Sequence, residues 1–395
     1  MASPIFDEIR IIDTDTHVSE PEDLWTSRVS TKKWGDLVPH VRRDDERGID
    51  VWWWAGEPSL PTGLMSAAGW PEFTPAHPPT LAAGDPGCFD PKARLERMDA
   101  DGIFAQVLYP NLGGFGSGKF IALRDPELQL ACVRAYNDFL VDWIQVDPKR
   151  FLPITALPFW DLEASVAEAS RCAKLGHKGI LMTGEPENFD QPYLADPYWD
   201  PLWACAQDLG LPINFHIGNS ATELAPAPGY AGTGEITHYA KLAVSAFMAN
   251  SRHIIEVITS GICHRFPRLD FVSVESGIGW LPFLLEALDW QWGSYGVWRE
   301  RPELDLLPSE YFRRQIYACF WFEEQSALSV IDQFADNILY ETDYPHPTSM
   351  SPGPASIARA PRDYLRETFG ELSDATLVKV LHDNAARVYH FDESG

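Results

Sequence analysis

Positive charge is what this sequence has least of. Its 395 residues carry 31 Lys and Arg against 57 Asp and Glu, a formal charge of −26, which excludes nucleic acid and anionic membrane surfaces as partners. No run of about 18 apolar residues occurs, and the start "MASPIFDEIRIIDTDTH" has neither the basic nor the apolar segment of a secretion signal. The six cysteines (Cys88, Cys132, Cys172, Cys205, Cys263, Cys319) lie far apart with no CxxC pair. That spacing excludes a zinc ribbon and argues against a disulfide framework. No GxGxxG follows the first strand pattern, against a dinucleotide-binding fold, and no GxSxG elbow appears, against a nucleophilic serine. A soluble, cytoplasmic protein acting on a small molecule is the expectation these absences leave.

What is present is ordinary globular composition, 45% hydrophobic and 22% charged, with 15 tryptophans. Short β-rich runs alternate with amphipathic stretches. The strand candidates are Arg10–Asp15, Phe104–Tyr109, Phe151–Leu157, Lys178–Thr183, Pro212–His216, Asp270–Glu275, Gln315–Phe320 and Ile338–Asp343. Helical patterns fall between them at Pro126–Val146, Leu162–Leu175, Trp199–Leu209, His238–Ile258, Leu281–Trp292 and Glu324–Phe334. Strand alternating with helix implies parallel pairing, and eight such units predict a (β/α)8 barrel. The reading is one domain over residues 1–395, with a long insertion at about 26–90 after the first strand and closing helices in "LSDATLVKVLHDNAARVYHF". That insertion is Pro- and Gly-rich, and its Trp52–Trp54 run has poor periodicity. It reads as a lid or oligomer arm over the face where barrel sites form. The loop Leu224–Glu235 is a second candidate wall of the pocket.

The polar residues fall at strand ends. Asp13, Asp15 and His17 alternate along the first strand and are expected on one face. The fifth strand, "LPINFHIGN", is apolar until His216; the sixth ends in Glu275; the eighth, "NILYETDYPHP", ends in Asp343, with His346 just beyond. In a parallel barrel these ends converge on one mouth, and imidazole with carboxylate is a ligand set for Zn, Fe or Mn. For any one of these residues a surface or structural role is the commoner explanation. Their coincidence at four strand ends points to a metal site.

Nearly the whole chain, through "DTDTH", "DPKARLERMDADGI", "NFHIG", "RFPRLDFVSVESGIGWLP", "ETDYPHP" and "DNAARVY", resembles the amidohydrolase-related family. That group includes 2-amino-3-carboxymuconate-6-semialdehyde decarboxylase and metal-dependent carbon–carbon and ester hydrolases. The resemblance implies Asp15, His17, His216 and Asp343 as metal ligands, with Asp343 also handling protons, and a homodimer. Two departures stand out. Asp15 occupies a place usually held by histidine or glutamate, and Glu275 occupies one usually held by histidine. Relatives with paired metals bridge them through a fourth-strand lysine, but here that strand ends in Met182–Thr183, so Glu275, with Glu20, is the candidate replacement. One or two divalent ions are therefore expected.

The leading expectation is hydrolysis of an apolar or aromatic acyl-type substrate (amide, ester, thioester or carbon–carbon bond) by a metal-activated water. Glu275, Asp343 and His346 are the catalytic candidates. A decarboxylase of an aromatic or unsaturated acid ranks second, because an ionised Glu275 would repel a substrate carboxylate. An inert barrel that binds a small molecule is the third reading, and the number of matched ligands argues against it.

Overall fold

The computed structural model of the protein describes residues 4–112, 118–219 and 234–391. Strand β1 (Ile11–Val18) is buried along its whole length. The insertion follows, where β2 (His40–Asp44), β3 (Ile49–Trp54) and β4 (Glu57–Pro61) pair antiparallel. After it come β5 (Ile103–Pro110), β6 (Phe151–Ala156), β7 (Gly179–Leu181), β8 (Ile213–His216), β9 (Phe271–Val274), β10 (Ile316–Phe320) and β11 (Ile338–Tyr340). With β1 these make one parallel sheet of eight, in the order β1-β5-β6-β7-β8-β9-β10-β11. Its two edges meet just past β11. Asp343 N–H donates to Asp15 O at 3.0 Å, and His17 N–H donates to Tyr344 O at 2.7 Å. The sheet is thus a nearly closed (β/α)8 barrel, and all eight expected strands are present within a few residues.

Local chemistry starts the helices where the pattern expected them. Asp125 accepts from the N–H groups of Glu127 and Leu128, with Pro126 opening the helix, and Asp161 accepts from Ala164 N–H. Asp90 and Pro91 begin the helix Pro91–Asp101 in the same way. The expected long helix His238–Ile258 is two, Glu235–Phe247 and Asn250–Thr259. Asn250 is the reason for the break. Its buried amide donates to Phe215 O and Val274 O, at 2.8 and 2.9 Å, drawing the second helix onto the ends of β8 and β9.

Barrel residues divide into two layers. Ile12, Val107, Ile154, Leu181, Val272, Cys319 and Leu339 pack inside the barrel, while Ile11, Leu108, Ile180 and Phe320 face the surrounding helices. Tyr389, from the C-terminal helices, plugs the end opposite the mouth, its hydroxyl donating to Asn214 Oδ1 at 2.8 Å. The tryptophan run, expected to be irregular, is the strand β3. Trp52 and Trp54 are buried edge-on against Trp25, with ring centroids at 5.3 and 5.1 Å. Aperiodic tryptophans form a strand here because both neighbours, β2 and β4, come from the same insertion. The loop expected at Leu224–Glu235 lies, up to residue 233, outside the described residues. Among the described residues no helix is long and apolar enough to cross a membrane.

Candidate metal centre

A register shift in β1 sets the site. Asp13 to Thr16 is three steps, yet it spans two on β5, Gln106 to Leu108. One extra residue reverses the in–out phase of a strand. Asp13 therefore does not share a face with Asp15 and His17. It turns outward and accepts from Thr342 N–H at 2.9 Å, Thr342 Oγ1 at 2.6 Å and Gln106 Nε2 at 3.3 Å. Beyond the shift, Asp15 and His17 point into the mouth.

There they meet His216 from the end of β8. His17 Nδ1 lies 2.9 Å from Pro110 O and His216 Nδ1 lies 2.7 Å from Ile217 O. A carbonyl only accepts, so both Nδ1 atoms carry hydrogen and each ring turns its Nε2 to the mouth, where a neutral ring offers a lone pair to a metal ion. The two Nε2 atoms stand 3.1 Å apart, and each is 3.3 Å from Asp15 Oδ1. Both carboxylate oxygens of Asp15 are buried and accept no hydrogen bond. A dry carboxylate facing two imidazole nitrogens needs positive charge among them, supplied by a protonated imidazole or by a metal ion that takes the proton's place.

Three overlapping sets bring candidate ligand atoms within 4.8 Å of one another: Asp15, His17 and His216; His17, Asp343 and His346; Asp15, Glu275 and Asp343. This imidazole and carboxylate donor set fits a divalent ion, and the overlapping sets provide for one or two. His346 stacks on His17 with centroids 3.9 Å apart. Its Nε2 faces Asn111 Oδ1 at 3.0 Å, which leaves Nδ1 as the lone-pair atom, 2.7 Å from Asp343 Oδ1.

The electrostatics sort the acids. Burial by itself would raise Asp15, but His216 and His17 outweigh it and hold its carboxyl below the usual range. Burial pushes Asp343 up to about 7, with Asp15 adding to the rise. Glu275 is raised well above an ordinary glutamate, first by burial, then by Asp343, Asp15 and Glu341 around it. A shift in this direction favours the acid form over the base expected to activate water. Glu275 (φ 54°) and Asp343 (φ 59°) both hold left-handed backbone, a conformation that costs non-glycine residues about 1–2 kcal/mol. Such strain collects at functional sites.

Of the residues singled out from the sequence, Asp15, His17, His216, Glu275, Asp343 and His346 come together. Glu20 does not join their ligand atoms. Its Oε1 accepts from the N–H groups of Asn111 and Leu112 at 3.2 and 2.7 Å, fastening the chain after β5. Sequence reasoning passed over Glu341, fully buried below the cluster, whose Oε2 accepts from Glu275 N–H at 3.1 Å. The available signal was the two-residue spacing to Asp343, which puts both on the inner face.

It also passed over Arg94 in "DPKARLERMDADGI". This buried guanidinium donates to Gly87 O and His17 O, both at 2.6 Å, and to Gln106 Oε1 at 3.1 Å. Gln106 passes the contact on to Asp13, and Asp13 to Thr342. From behind the sheet, this network fixes the backbone that carries His17 and Asp343. Arg94→Lys is expected to weaken metal binding about 10- to 100-fold, read by titrating chelator-stripped protein with manganese, with circular dichroism unchanged.

An eight-stranded parallel barrel with a histidine and carboxylate cluster at its mouth defines a metal-centred barrel protein. The family model described as amidohydrolase matches residues 12–391, and the chain belongs to that family. Gamma-resorcylate decarboxylase from Rhizobium sp. is 27% identical over 312 residues, covering 76% of this chain and 86% of that protein. Among solved structures, an amidohydrolase from Mycobacterium avium subsp. paratuberculosis superposes with a TM-score of 0.74 at 20% identity, over 96% of this chain and 99% of that one. Dihydroxybenzoic acid decarboxylase from Polaromonas sp., with bound manganese and the inhibitor 2-nitroresorcinol, superposes with a TM-score of 0.60 at 20% identity, over 97% and 98%. These two likenesses show the shared fold.

Proposed function

We propose that the chain is a metal-dependent decarboxylase of an aromatic or unsaturated acid, with Glu275 supplying the proton that replaces carbon dioxide on carbon. This corrects the expectation of hydrolysis. That expectation is overturned by the gamma-resorcylate decarboxylase that aligns along 76% of the chain. The observation in the site that carries the reading is the place of Glu275, buried at the end of β9 against Asp343 and Asp15, where burial and these acids raise its carboxyl above an ordinary glutamate. Neutral, it no longer repels a substrate carboxylate.

A divalent ion held by Asp15, His17, His216 and Asp343 would supply Lewis-acid binding of the substrate's carboxylate; manganese, present in the Polaromonas protein, is the first ion to load. The chain's own residues do the rest. Leu181, Ile217 and Pro110 border a narrow crevice beside His17 and His216, closed to water in this conformation, so the crevice has to widen to seat the ring. Glu275 donates its proton to the carbon bearing the carboxylate. The bond from that carbon to the carboxyl carbon then breaks, its electron pair returns to the ring, and carbon dioxide leaves. Asp343, 2.7 Å from His346 Nδ1, lies in the shell from which Glu275 is reprotonated.

Manganese-loaded protein offered a panel of benzoates is expected to release carbon dioxide in one-to-one proportion with the decarboxylated ring. Ester, amide and thioester analogues are expected to remain intact. Hydrolysis of those analogues with no carbon dioxide from any acid would sink the reading.

A further inference from the structure

Two glycines follow Glu275 in "ESGIGW" (Glu275 to Trp280), and the side chain that requires them is Glu323. Strands β9 and β10 pair with Ser273 opposite Ala318, and further along both chains Ile278 meets Glu323. Ile278 N–H donates to both carboxyl oxygens of Glu323 at 3.0 Å, and Gly279 N–H donates to Oε1 at 2.8 Å. Ser326 Oγ donates to the same oxygen at 3.4 Å. The turn lies so close against this carboxyl that side chains have no room. A Cβ on Gly277 would stand 2.9 Å from Glu323 Oε2, and one on Gly279 would stand 2.9 Å from Ser326 Cβ. Gly277 also holds φ 64°, which glycine adopts at little cost.

A helix start is ordinarily capped by a short polar side chain of its own segment. The helix that follows this turn, Leu281–Tyr295, has no side-chain cap, and a buried glutamate from another strand grips the turn instead. Glu323 is itself anchored, because the Tyr364 hydroxyl donates to its carbonyl. At the other end of the turn Glu341 Oε2 accepts from Glu275 N–H at 3.1 Å. Two carboxyl groups thus hold the backbone on either side of the left-handed Glu275.

We infer that Glu323 is a positioning residue for Glu275: its grip on the glycine turn fixes the backbone that aims the Glu275 carboxyl. The inference rests on the reading of Glu275 as proton donor. Strained backbone persists only where its surroundings over-determine it, and two glycines by themselves would leave this turn free. A general acid has to stand within hydrogen-bond reach of the atom it protonates, and a displacement of about 1 Å costs on the order of 100-fold in rate.

A mutant cycle separates this role from a merely structural one. Manganese-loaded full-length protein is assayed on whichever benzoate of the panel releases carbon dioxide fastest. Glu323→Ala is expected to lower kcat about 10- to 100-fold, with KM, bound manganese and circular dichroism unchanged. Glu323→Gln, which keeps one acceptor oxygen on the turn, is expected to recover to within about 3-fold of the wild type. In the Glu275→Gln background, Glu323→Ala is expected to change the residual turnover less than about 2-fold, because a residue acting only through Glu275 has nothing left to position. An equal loss in both backgrounds, or an unchanged kcat in Glu323→Ala, overturns the inference. Gly277→Ala presses on the same contact and takes the place of Glu323→Ala if that variant fails to fold, with the same outcomes read. Hydrogen exchange tests the grip without substrate. The amides of Ile278 and Gly279 are expected to exchange about 10-fold faster in Glu323→Ala, with β9 and β10 unchanged, and unchanged exchange overturns the grip. Faster exchange together with full turnover in Glu275→Gln would remove the donor, and its positioning with it, and leave only the hold on the turn.

Discussion

Asparagine in place of Asp15 is expected to strip the metal and lower carbon dioxide release by about three orders of magnitude or more, because several kcal/mol of charge stabilisation leave with the ion. Asp15 is the one acid among the described residues that stands 3.3 Å from both Nε2 atoms, whereas Asp343 and Glu275 each approach only one of them, at 3.7 Å. The metal-free chain is expected to lose stability as well. There His216 and His17 hold the Asp15 carboxyl below its usual range against the effect of burial, an attraction the asparagine lacks. Metal-free Asp15→Asn is therefore expected to melt a few degrees below metal-free wild type, about what 1 kcal/mol gives in a chain of this size. Added manganese is expected to raise the melting temperature of the wild type alone. Metal analysis with paired melting scans reads both effects. A variant that retains its metal and its turnover would remove Asp15 from the ligand set.

Glu275→Gln separates proton delivery from metal binding. The amide keeps the shape of the acid but has no transferable proton, and general acids typically contribute about 10²- to 10⁴-fold. Carbon dioxide release is expected to fall by that factor while one equivalent of metal remains bound. A fall from two equivalents to one would instead make Glu275 a bridge between ions. The pH profile carries the same sign. Burial and the surrounding carboxylates raise Glu275 above its ordinary value, so turnover by the acid form is expected to be lost as the pH rises past the shifted value. In Glu275→Gln that alkaline limb is expected to disappear. Full turnover in Glu275→Gln would end the claim that it is the proton donor.

Strand period and strand ends were legible in the sequence because each depends on neighbouring residues. An apolar run that closes on His216 or on Asp343 says where a barrel strand stops, and a parallel barrel leaves that end only one mouth to reach. Asp13 was misread for an equally local reason. Its phase depends on one extra residue in the pairing with β5, and pairing is a property of two strands. Glu20 carried the right chemistry at the right end of β1, yet it bonds to backbone that follows β5. Glu341 and Arg94 were passed over because their roles consist of contacts made 66 and 77 residues away, to Glu275 and to His17. The reaction was misjudged for the same reason. Glutamate in the sequence reads as a base, and only burial and three neighbouring acids shift it towards the acid form.

From its own order of residues, the chain determined an eight-fold alternation of strand and helix, a strongly acidic surface, and the histidines and carboxylates that end the strands. Periodicity and turn chemistry act over a few residues and need no distant partner. The fold decided which of those acids meet the histidines and in which direction burial and charge shift each of them. Orientation, burial and repulsion among charges arise only once segments hundreds of residues apart share one dry cavity.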